Sequence, residues 1–459
     1  MKIIVCGAGQ VGSGIARQLS SEENDVTIID QSPELISKIN ETLDVKAFVG
    51  VPSHPSVLEE AGAKYADMII AVTTSDETNM MVCQVADSLF KMHTKIARIR
   101  HQNYLNPIWK NLYRKENLPI DYIISPEKEV AQAIMNRLHV PGAMDMIPFA
   151  NGKLRVIEVR TATSCALINL PLVQVREILL DLSVSIIGLV RNDQFILPDK
   201  KETLKSGDAV FFVTGVEHVT EAMKIFGHKE KEARRVLIIG GGNIGFFLAQ
   251  DLENEEHDIN AKLIEINTER AEYIASKLTK TIVINGDALD EEILLEANIE
   301  NTETVISVSN DDEVNILSSL LSKRSGCDRV ITLINKGTSY ASLMSSLGID
   351  VIVNPRETTV SSILQHIRKG KVKAAHSICG GAAEIIEVEA PENSAVVGQT
   401  IDGIGIPKGA IIGAISRGEK VIIPRGDETV EEGDRILILS TLSDIKKVDE
   451  IFSESQDYF

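Results

Sequence analysis

Two short stretches of this chain have the residue types and spacing to hold a phosphate. Gly7-Ala8-Gly9-Gln10-Val11-Gly12 and Gly240-Gly241-Gly242-Asn243-Ile244-Gly245 each follow an apolar run and open an amphipathic one. In a strand–turn–helix unit the first glycine permits the tight turn and the second lets a pyrophosphate approach the backbone. The third lets the helix pack closely on the strand. The free N–H groups and the positive end of the helix dipole then face the anion. Asp30 and Glu265 each close the next apolar run. A carboxylate there accepts a hydrogen bond from a ribose 2′-hydroxyl and repels a 2′-phosphate. The chemistry these residues predict is binding of NAD(H) in preference to NADP(H), at two places.

Ligands of such units sit at the carboxyl ends of the strands. Thr73 and Thr74 end the fourth apolar run of the first stretch, and Ser309 and Asn310 take their places in the second. They suit phosphate or ribose contacts, or the capping of a turn. Arg98 ends the fifth run and can offer a bidentate fork to phosphate, where the second copy has Leu333. Val51 follows the third run where the second copy has Asp287. The two pockets are therefore expected to differ, with the first better suited to a charged dinucleotide.

Residues for turnover are missing. A dehydrogenase needs a proton relay beside the nicotinamide. None of His54, His93, His101, His139, His218, His228, His257, His366 and His376 keeps its place in both copies, and no Cys/His spacing suggests zinc. No catalytic and no metal-ligating residues are assigned. Glu127 is read as a helix N-terminal carboxylate or a member of a cation site at a subunit contact; its counterpart is Arg356. Leu105, Ile108, Trp109 and Leu112 have the spacing of one helical face, repeated by Tyr340, Leu343, Met344 and Leu347. That face is either core or an interface, and the single tryptophan favours an interface.

The elements that position these residues come from duplication. "DVTIIDQSPELI" (25–36) aligns with "NAKLIEINTERA" (260–271), and "ADMIIAVTTSDETNM" (66–80) with "TETVISVSNDDEVNI" (302–316). "IDYIISPEKEVAQAI" (120–134) aligns with "IDVIVNPRETTVSSI" (349–363). A second kind of unit, with a Gly-Asp turn and a closing amphipathic segment, ends near 226 and again at 452. The order is A–B–A′–B′, with the charged linker "HKEKEARR" between halves. Near-continuous β-branched runs between amphipathic segments predict an α/β fold with two doubly wound parallel sheets of Rossmann type. Each is followed by a small α+β unit with an antiparallel sheet. The expected domains are 1–139, 140–227, 234–370 and 371–459.

The 459 residues carry 47 Lys plus Arg against 66 Asp plus Glu, a net charge of −19. That excludes a nucleic-acid backbone or an anionic lipid surface as the expected partner. Five scattered cysteines without a CxxC pair indicate a reducing, cytosolic compartment. The amino-terminal "MKIIVCGAG" does not read as a signal peptide. No apolar run reaches the ~20 residues of a transmembrane helix.

"KIIVCGAGQVGSGIARQL", "ADMIIAVTTSDETNM", "DYIISPEKEVAQAI" and "LKSGDAVFFVTG" resemble the RCK (regulator of potassium conductance) family in its tandem form. The resemblance implies a non-enzymatic, nucleotide-sensing regulatory subunit of Trk-type potassium uptake. Such a subunit would form a cytosolic ring, a tetramer, beneath a Trk-type membrane potassium transporter and so sit peripherally on the inner membrane face. It implies NAD(H), or ATP and ADP, at either Rossmann site. The contacts implied are Gly7 to Gly12, Asp30, Thr73, Thr74 and Arg98 in the first site and Gly240 to Gly245 with Glu265 in the second. Many single-RCK relatives have Arg where Gln10 and Asn243 stand, and Val51 departs from a pattern that survives as Gly286-Asp287-Ala288. Glu127 resembles a position that binds divalent cations in some relatives. The alternatives are an NAD-dependent oxidoreductase with two fused halves and a regulator of a different cation channel or antiporter.

Overall fold

The computed structural model describes residues 1–452 apart from 22–23, 193, 200–201, 256–258, 336–343, 345–346, 368–371 and 393. It divides into two compact units, one of Met1–Glu129 with Arg356–Ile367 and one of Val130–Pro355 with Arg368–Phe459.

The first unit opens with β1 (Lys2–Cys6), α1 (Gln10–Ser21), β2 (Asp25–Asp30), α2 (Pro33–Thr42), β3 (Lys46–Val49) and α3 (Pro55–Glu60). It continues through β4 (Met68–Ala71), α4 (Asp76–Phe90), β5 (Thr94–Arg98), β6 (Tyr122–Ile124) and the start of α5 (Pro126–Leu138). The strands form one sheet in the order β3-β2-β1-β4-β5-β6, with β1 parallel to β2 on one side and to β4 on the other. Alternate residues of a strand face opposite sides, and here both sides are covered. Ile3, Val5, Ile28 and Ile70 pack with Ile15, Leu19, Ile36 and Ile39 of α1 and α2. Ile4, Cys6, Ile29 and Ile69 pack with Leu58, Val82, Cys83 and Ala86. This two-sided burial is why the strands read as unbroken apolar runs. Ser32 and Ser75 cap α2 and α4 by accepting from Leu35 N and Thr78 N. Ile363 and Leu364, from the helix Pro355–Ile367 far along the chain, complete the first of these cores.

In the second unit the residues of α5 beyond Glu129 lie on the other Rossmann sheet. Val130, Ala131, Ile134, Met135 and Leu138 share a core with Val236, Ile238, Leu263, Ile306 and Val353. The chain then forms β7 (Ala143–Phe149), β8 (Leu154–Arg160), α6 (Leu172–Leu180), β9 (Val184–Arg191), β10 (Gln194–Ile196), β11 (Ala209–Gly215) and α7 (Val219–Ile225). These strands make a five-stranded antiparallel sheet, β10-β9-β11-β8-β7.

The second Rossmann sheet follows with β12 (Arg235–Ile239), α8 (Asn243–Asn254), β13 (Asn260–Glu265), α9 (Thr268–Ala275), β14 (Ile282–Asn285) and α10 (Glu291–Glu296). It ends with β15 (Thr304–Ser307), α11 (Asp312–Arg324), β16 (Arg329–Leu333) and β17 (Val351–Val353), in the order β14-β13-β12-β15-β16-β17. The last antiparallel sheet contains β18 (Val372–Ile378), β19 (Ala383–Glu389), β20 (Ala410–Arg417), β21 (Lys420–Ile422) and β22 (Arg435–Thr441), ordered β18-β19-β22-β20-β21.

The duplication holds at the level of single side chains. The Gly-Asp turns place Asp208 and Asp434 under arginine forks: Arg191 Nε and Nη2 each donate at 2.8 Å to Asp208, and Arg417 donates at 2.8 and 2.7 Å to Asp434. The two antiparallel sheets share a core in which Phe149, Val156, Ile187 and Phe211 meet Ile385, Ala414, Leu437 and Leu439. A Cβ at Gly413 would lie 2.6 Å from Ile187 Cγ2. Among the described residues no helix is long and apolar enough to cross a membrane.

Candidate nucleotide sites

Each glycine turn is fixed by sterics before any ligand is considered. Gly7 has φ +112° and Gly240 φ +103°, a region that costs a non-glycine residue free energy. A Cβ on Gly12 would come 1.8 Å from Gly7 O, and one on Gly245 would come 2.0 Å from Gly240 O. By contrast, a Cβ on Gly9 or Gly242 meets nothing within 4 Å, so these two glycines border open space where an anion can approach the backbone. Gln10 and Val11, like Asn243 and Ile244, form the first turns of α1 and α8.

The paired acids reach the turns. Asp30 Oδ2 accepts from Ala8 N at 2.6 Å and Oδ1 from Ser32 N at 2.8 Å. Glu265 Oε2 accepts from Gly241 N at 2.7 Å and Oε1 from Asn267 N at 2.8 Å. Each carboxylate thus ties its glycine turn to the start of the next helix. Each oxygen also keeps a second lone pair for a hydroxyl.

The carboxyl ends of the middle strands are held by a residue that sequence reasoning missed. Asn79, fully buried on α4, accepts from Thr73 N and donates to Thr73 O and Arg98 O. Asn315 does the same for Ser309 N, Ser309 O and Leu333 O. A polar residue on the buried face of a helix, at the same place in "DETNM" and "DEVNI", was the available signal. Thr73 is half-buried in this clamp and also donates through Oγ1 to Asn79 Oδ1 at 2.7 Å, while Thr74 beside it is exposed.

The two sites part company in their charges. In the first, Arg98 is half-buried with Nε unpartnered. Burial and then the neighbouring Arg100 push its pKa down, against the pull of Glu127 and Asp76. Arg100 Nε donates to Glu127 Oε1 at 2.7 Å, so the Glu127 carboxylate faces an arginine. Among the described residues no His, Cys, Asp and Glu group could hold a metal ion. In the second site Arg270, which stands where the first copy has Leu35, donates from Nε to Gly241 O at 2.7 Å. Its guanidinium lies 5.7 Å from the Phe246 ring and 5.3 Å from that of Tyr273, a cation–π sandwich beside the glycine turn.

Ile108, Trp109 and Leu112 lie on a 3-10 helix, Pro107–Tyr113, with Ile108 73% and Trp109 57% exposed. Leu105 packs on the core. Of the repeated face, Tyr340 and Leu343 fall outside the described residues, while Met344 is buried and Leu347 exposed. His139 and His228 do have carboxylate partners, Glu255 at 2.9 Å and Glu230 at 3.0 Å, but neither pair involves a residue of the glycine turns.

Two parallel sheets with a glycine turn and a tethered acid at each switch point define a tandem Rossmann protein with two antiparallel companion domains. The TrkA-N domain model matches residues 3–126 and 236–355, and the TrkA-C domain model matches 156–227 and 385–453. The Trk system potassium uptake protein TrkA of Azorhizobium caulinodans is 44% identical over 459 residues, covering all of both chains. That of Haemophilus influenzae is 41% identical over 454 residues, covering 98% of each. Among solved structures, the RCK domain of GsuK aligns at TM-score 0.59 and 18% identity, over 98% of this chain and 94% of that one. The GsuK channel bound to NAD aligns at TM-score 0.59 and 18% identity, over 98% of this chain and 78% of that one. The chain belongs to the family of the Trk system potassium uptake protein TrkA, with two TrkA-N and two TrkA-C domains.

Proposed function

We propose that this protein is a nucleotide-sensing regulatory subunit of a Trk-type potassium uptake system. It works in the cytosol as a ring of chains against the inner face of a membrane transporter. The observation that carries the reading is the repeated tether between turn and acid, Ala8 N to Asp30 and Gly241 N to Glu265, in a chain whose Rossmann cores exchange helices. An enzyme needs one site and a relay; a sensor needs several sites whose occupancy is felt elsewhere. The exchanged segments, Val130–Leu138 and Arg356–Ile367, attach each sheet to the other half of the chain. A nucleotide that favours one arrangement of its sheet therefore biases both halves, by as much as its affinities for the two arrangements differ.

NAD(H) is the ligand favoured for the first site, with Gly7 to Gly12, Asp30, Thr73, Thr74 and Arg98 as contacts. Gly240 to Gly245 and Glu265 serve a second nucleotide, NAD(H) or ADP and ATP. The GsuK channel, which shares the fold, has been solved bound to NAD, in keeping with a nucleotide ligand. Ile108 and Trp109, with Met81 and Leu89 on α4, are large apolar side chains left exposed, of the kind that ring assembly would cover.

Calorimetry of the full chain with NAD+, NADH and ADP, and potassium flux through vesicles carrying the transporter with and without ligand, test the reading. Saturable binding that shifts flux is expected. Steady turnover of NADH with a carbonyl substrate, or binding with no effect on flux, would overturn it.

A further inference from the structure

The first unit holds a set of buried polar side-chain atoms with no hydrogen-bond partner in the chain. Arg98 Nε, Ser125 Oγ and Glu127 Oε2 are buried without a hydrogen-bond partner, as is Gln102 Nε2 in the loop after β5. Ser125 is 5% and Glu127 8% exposed. Arg98 pairs in register with Ile124, the residue before Ser125, and the Glu127 charge acts on the Arg98 guanidinium. Buried polar groups in native proteins have partners, so these atoms call for an occupant.

Their place in the fold narrows what it can be. The strand order reverses between β1 and β4, and a dinucleotide lies across such a switch point. Asp30, on β2, serves the adenosine half. The other half therefore falls over the carboxyl ends of β4, β5 and β6, where Arg98 and Ser125 stand. Arg98 Nε–H can only donate, an ionised Glu127 can only accept, and the Ser125 hydroxyl can do either. A phosphate or carboxylate would satisfy Arg98 and be repelled by Glu127. A primary carboxamide offers an acceptor oxygen and, on a separate atom, two donors, so it can answer both ends of the cluster at once. Arg100, whose side chain is 46% exposed, holds only the other oxygen of Glu127. The second copy has Leu333 and Asn335 at the positions of Arg98 and Arg100, and Asn335 is bound to Asp312.

The geometry points to Arg98, Ser125 and Glu127 as the reader of a primary carboxamide on the second nucleoside of a dinucleotide. The first copy thereby discriminates NAD(H) from ADP and from a dinucleotide with a carboxylate in the carboxamide's place. This rests on the nucleotide-binding reading and adds to it the identity of the group recognised.

The test is calorimetry of the full chain with NAD+, its deamido analogue and ADP, the first-copy sites being those whose heat is lost in Asp30→Ala. NAD+ is expected to bind those sites about tenfold or more tighter than the deamido analogue. Arg98→Leu installs the side chain the second copy already folds with, and should bring NAD+ down to the affinity of ADP. Glu127→Gln should raise the deamido analogue toward NAD+, and both variants should leave ADP unchanged. Equal affinities for NAD+ and the deamido analogue, or an unaltered NAD+ to ADP ratio in Arg98→Leu, would overturn the proposal alone. Failure of all three ligands to bind would overturn it together with the nucleotide-binding reading.

Discussion

The two Rossmann copies share strand order, glycine turns and the buried asparagine clamp, yet their helix–sheet seams are made of different chemistry. In the first, Ala71 on β4 and Ala97 on β5 meet Val82, Cys83 and Ala86 of α4 in an apolar seam. In the second the same positions are Ser307, Thr332, Ser318, Ser319 and Ser322, each fully buried. Ser319 Oγ lies 3.0 Å from Ser307 Oγ and 2.7 Å from Thr332 Oγ1, Ser318 Oγ lies 3.1 Å from Ser307 Oγ, and Ser322 donates to Ser318 O. Hydroxyls of this size fill the volume of alanine, valine and cysteine, so the backbone need not change. They are tolerated because each has a partner; a single hydroxyl in the apolar seam would not be. The carboxyl ends of β5 and β16 diverge in the same way, from Arg98 and Arg100 to Leu333 and Asn335. After duplication the scaffold is held by sterics and burial, while the groups at the rim of the sheet are free to differ.

The sharpest way to break the symmetry of the scaffold is at the third glycine. Gly12→Val or Gly245→Val forces a side chain into a carbonyl 1.8 or 2.0 Å away and should cost more than about 4 kcal/mol. In thermal unfolding followed by calorimetry, either variant should melt early, and the transition should fall by a similar amount for the two. A clear difference would mean that the turns are not equivalent.

Next in size is the clamp. Asn79→Leu or Asn315→Leu leaves backbone groups at the ends of two strands unpaired, and should cost about 3 kcal/mol in either copy. Urea denaturation should show similar losses for both, since the three bonds to backbone match one for one.

The seams should respond in opposite ways to the same exchange. Val82→Ser buries a hydroxyl with no serine on β4 to meet it and should cost about 2–3 kcal/mol. Ser318→Val leaves Ser307 still bonded to Ser319 and replaces a hydroxyl by apolar volume, so it should cost under about 1.5 kcal/mol. Equal losses would show that the hydroxyl network adds nothing beyond volume.

The smallest effect concerns acid. Burial raises the Glu253 carboxyl, but the backbone N–H groups of Thr279, Thr281 and Lys280 outweigh it and hold the pKa at about 2. Because the folded value lies below the unfolded one, this contribution is present above pH ~4.5 and is lost as pH falls toward 2. The residue is only half-buried, so solvent screening limits it to about 1 kcal/mol. The first copy has Ser20 at this place. Glu253→Gln should therefore lower stability at pH 7 and flatten the acid limb of the melting curve between pH 5 and 3, as followed by circular dichroism.

Much of the candidate sites was legible in the chain itself. The glycines, Asp30 and Glu265 are local signals: a turn, a strand end and a helix start that neighbours in sequence define. The duplication and the strand runs follow from periodicity, which reports which side of an element is buried. Not legible were Asn79 as a clamp, the Arg100–Glu127 ion pair, the Arg270 sandwich and the hydroxyl seam. Each of these joins residues whose meeting depends on how separate elements pack.

The sequence by itself determined two Rossmann folds with glycine turns and paired acids, because backbone sterics and alternating burial are written residue by residue. Only the tertiary structure decided that Val130–Leu138 complete the second core and Ile363 and Leu364 the first. It alone also decided which buried charges meet at the rim of β5 and β6. The physical reason is that the hydrophobic effect has no direction. An apolar helix face requires a partner, and either of two similar sheets satisfies it until loop lengths and shape complementarity choose one.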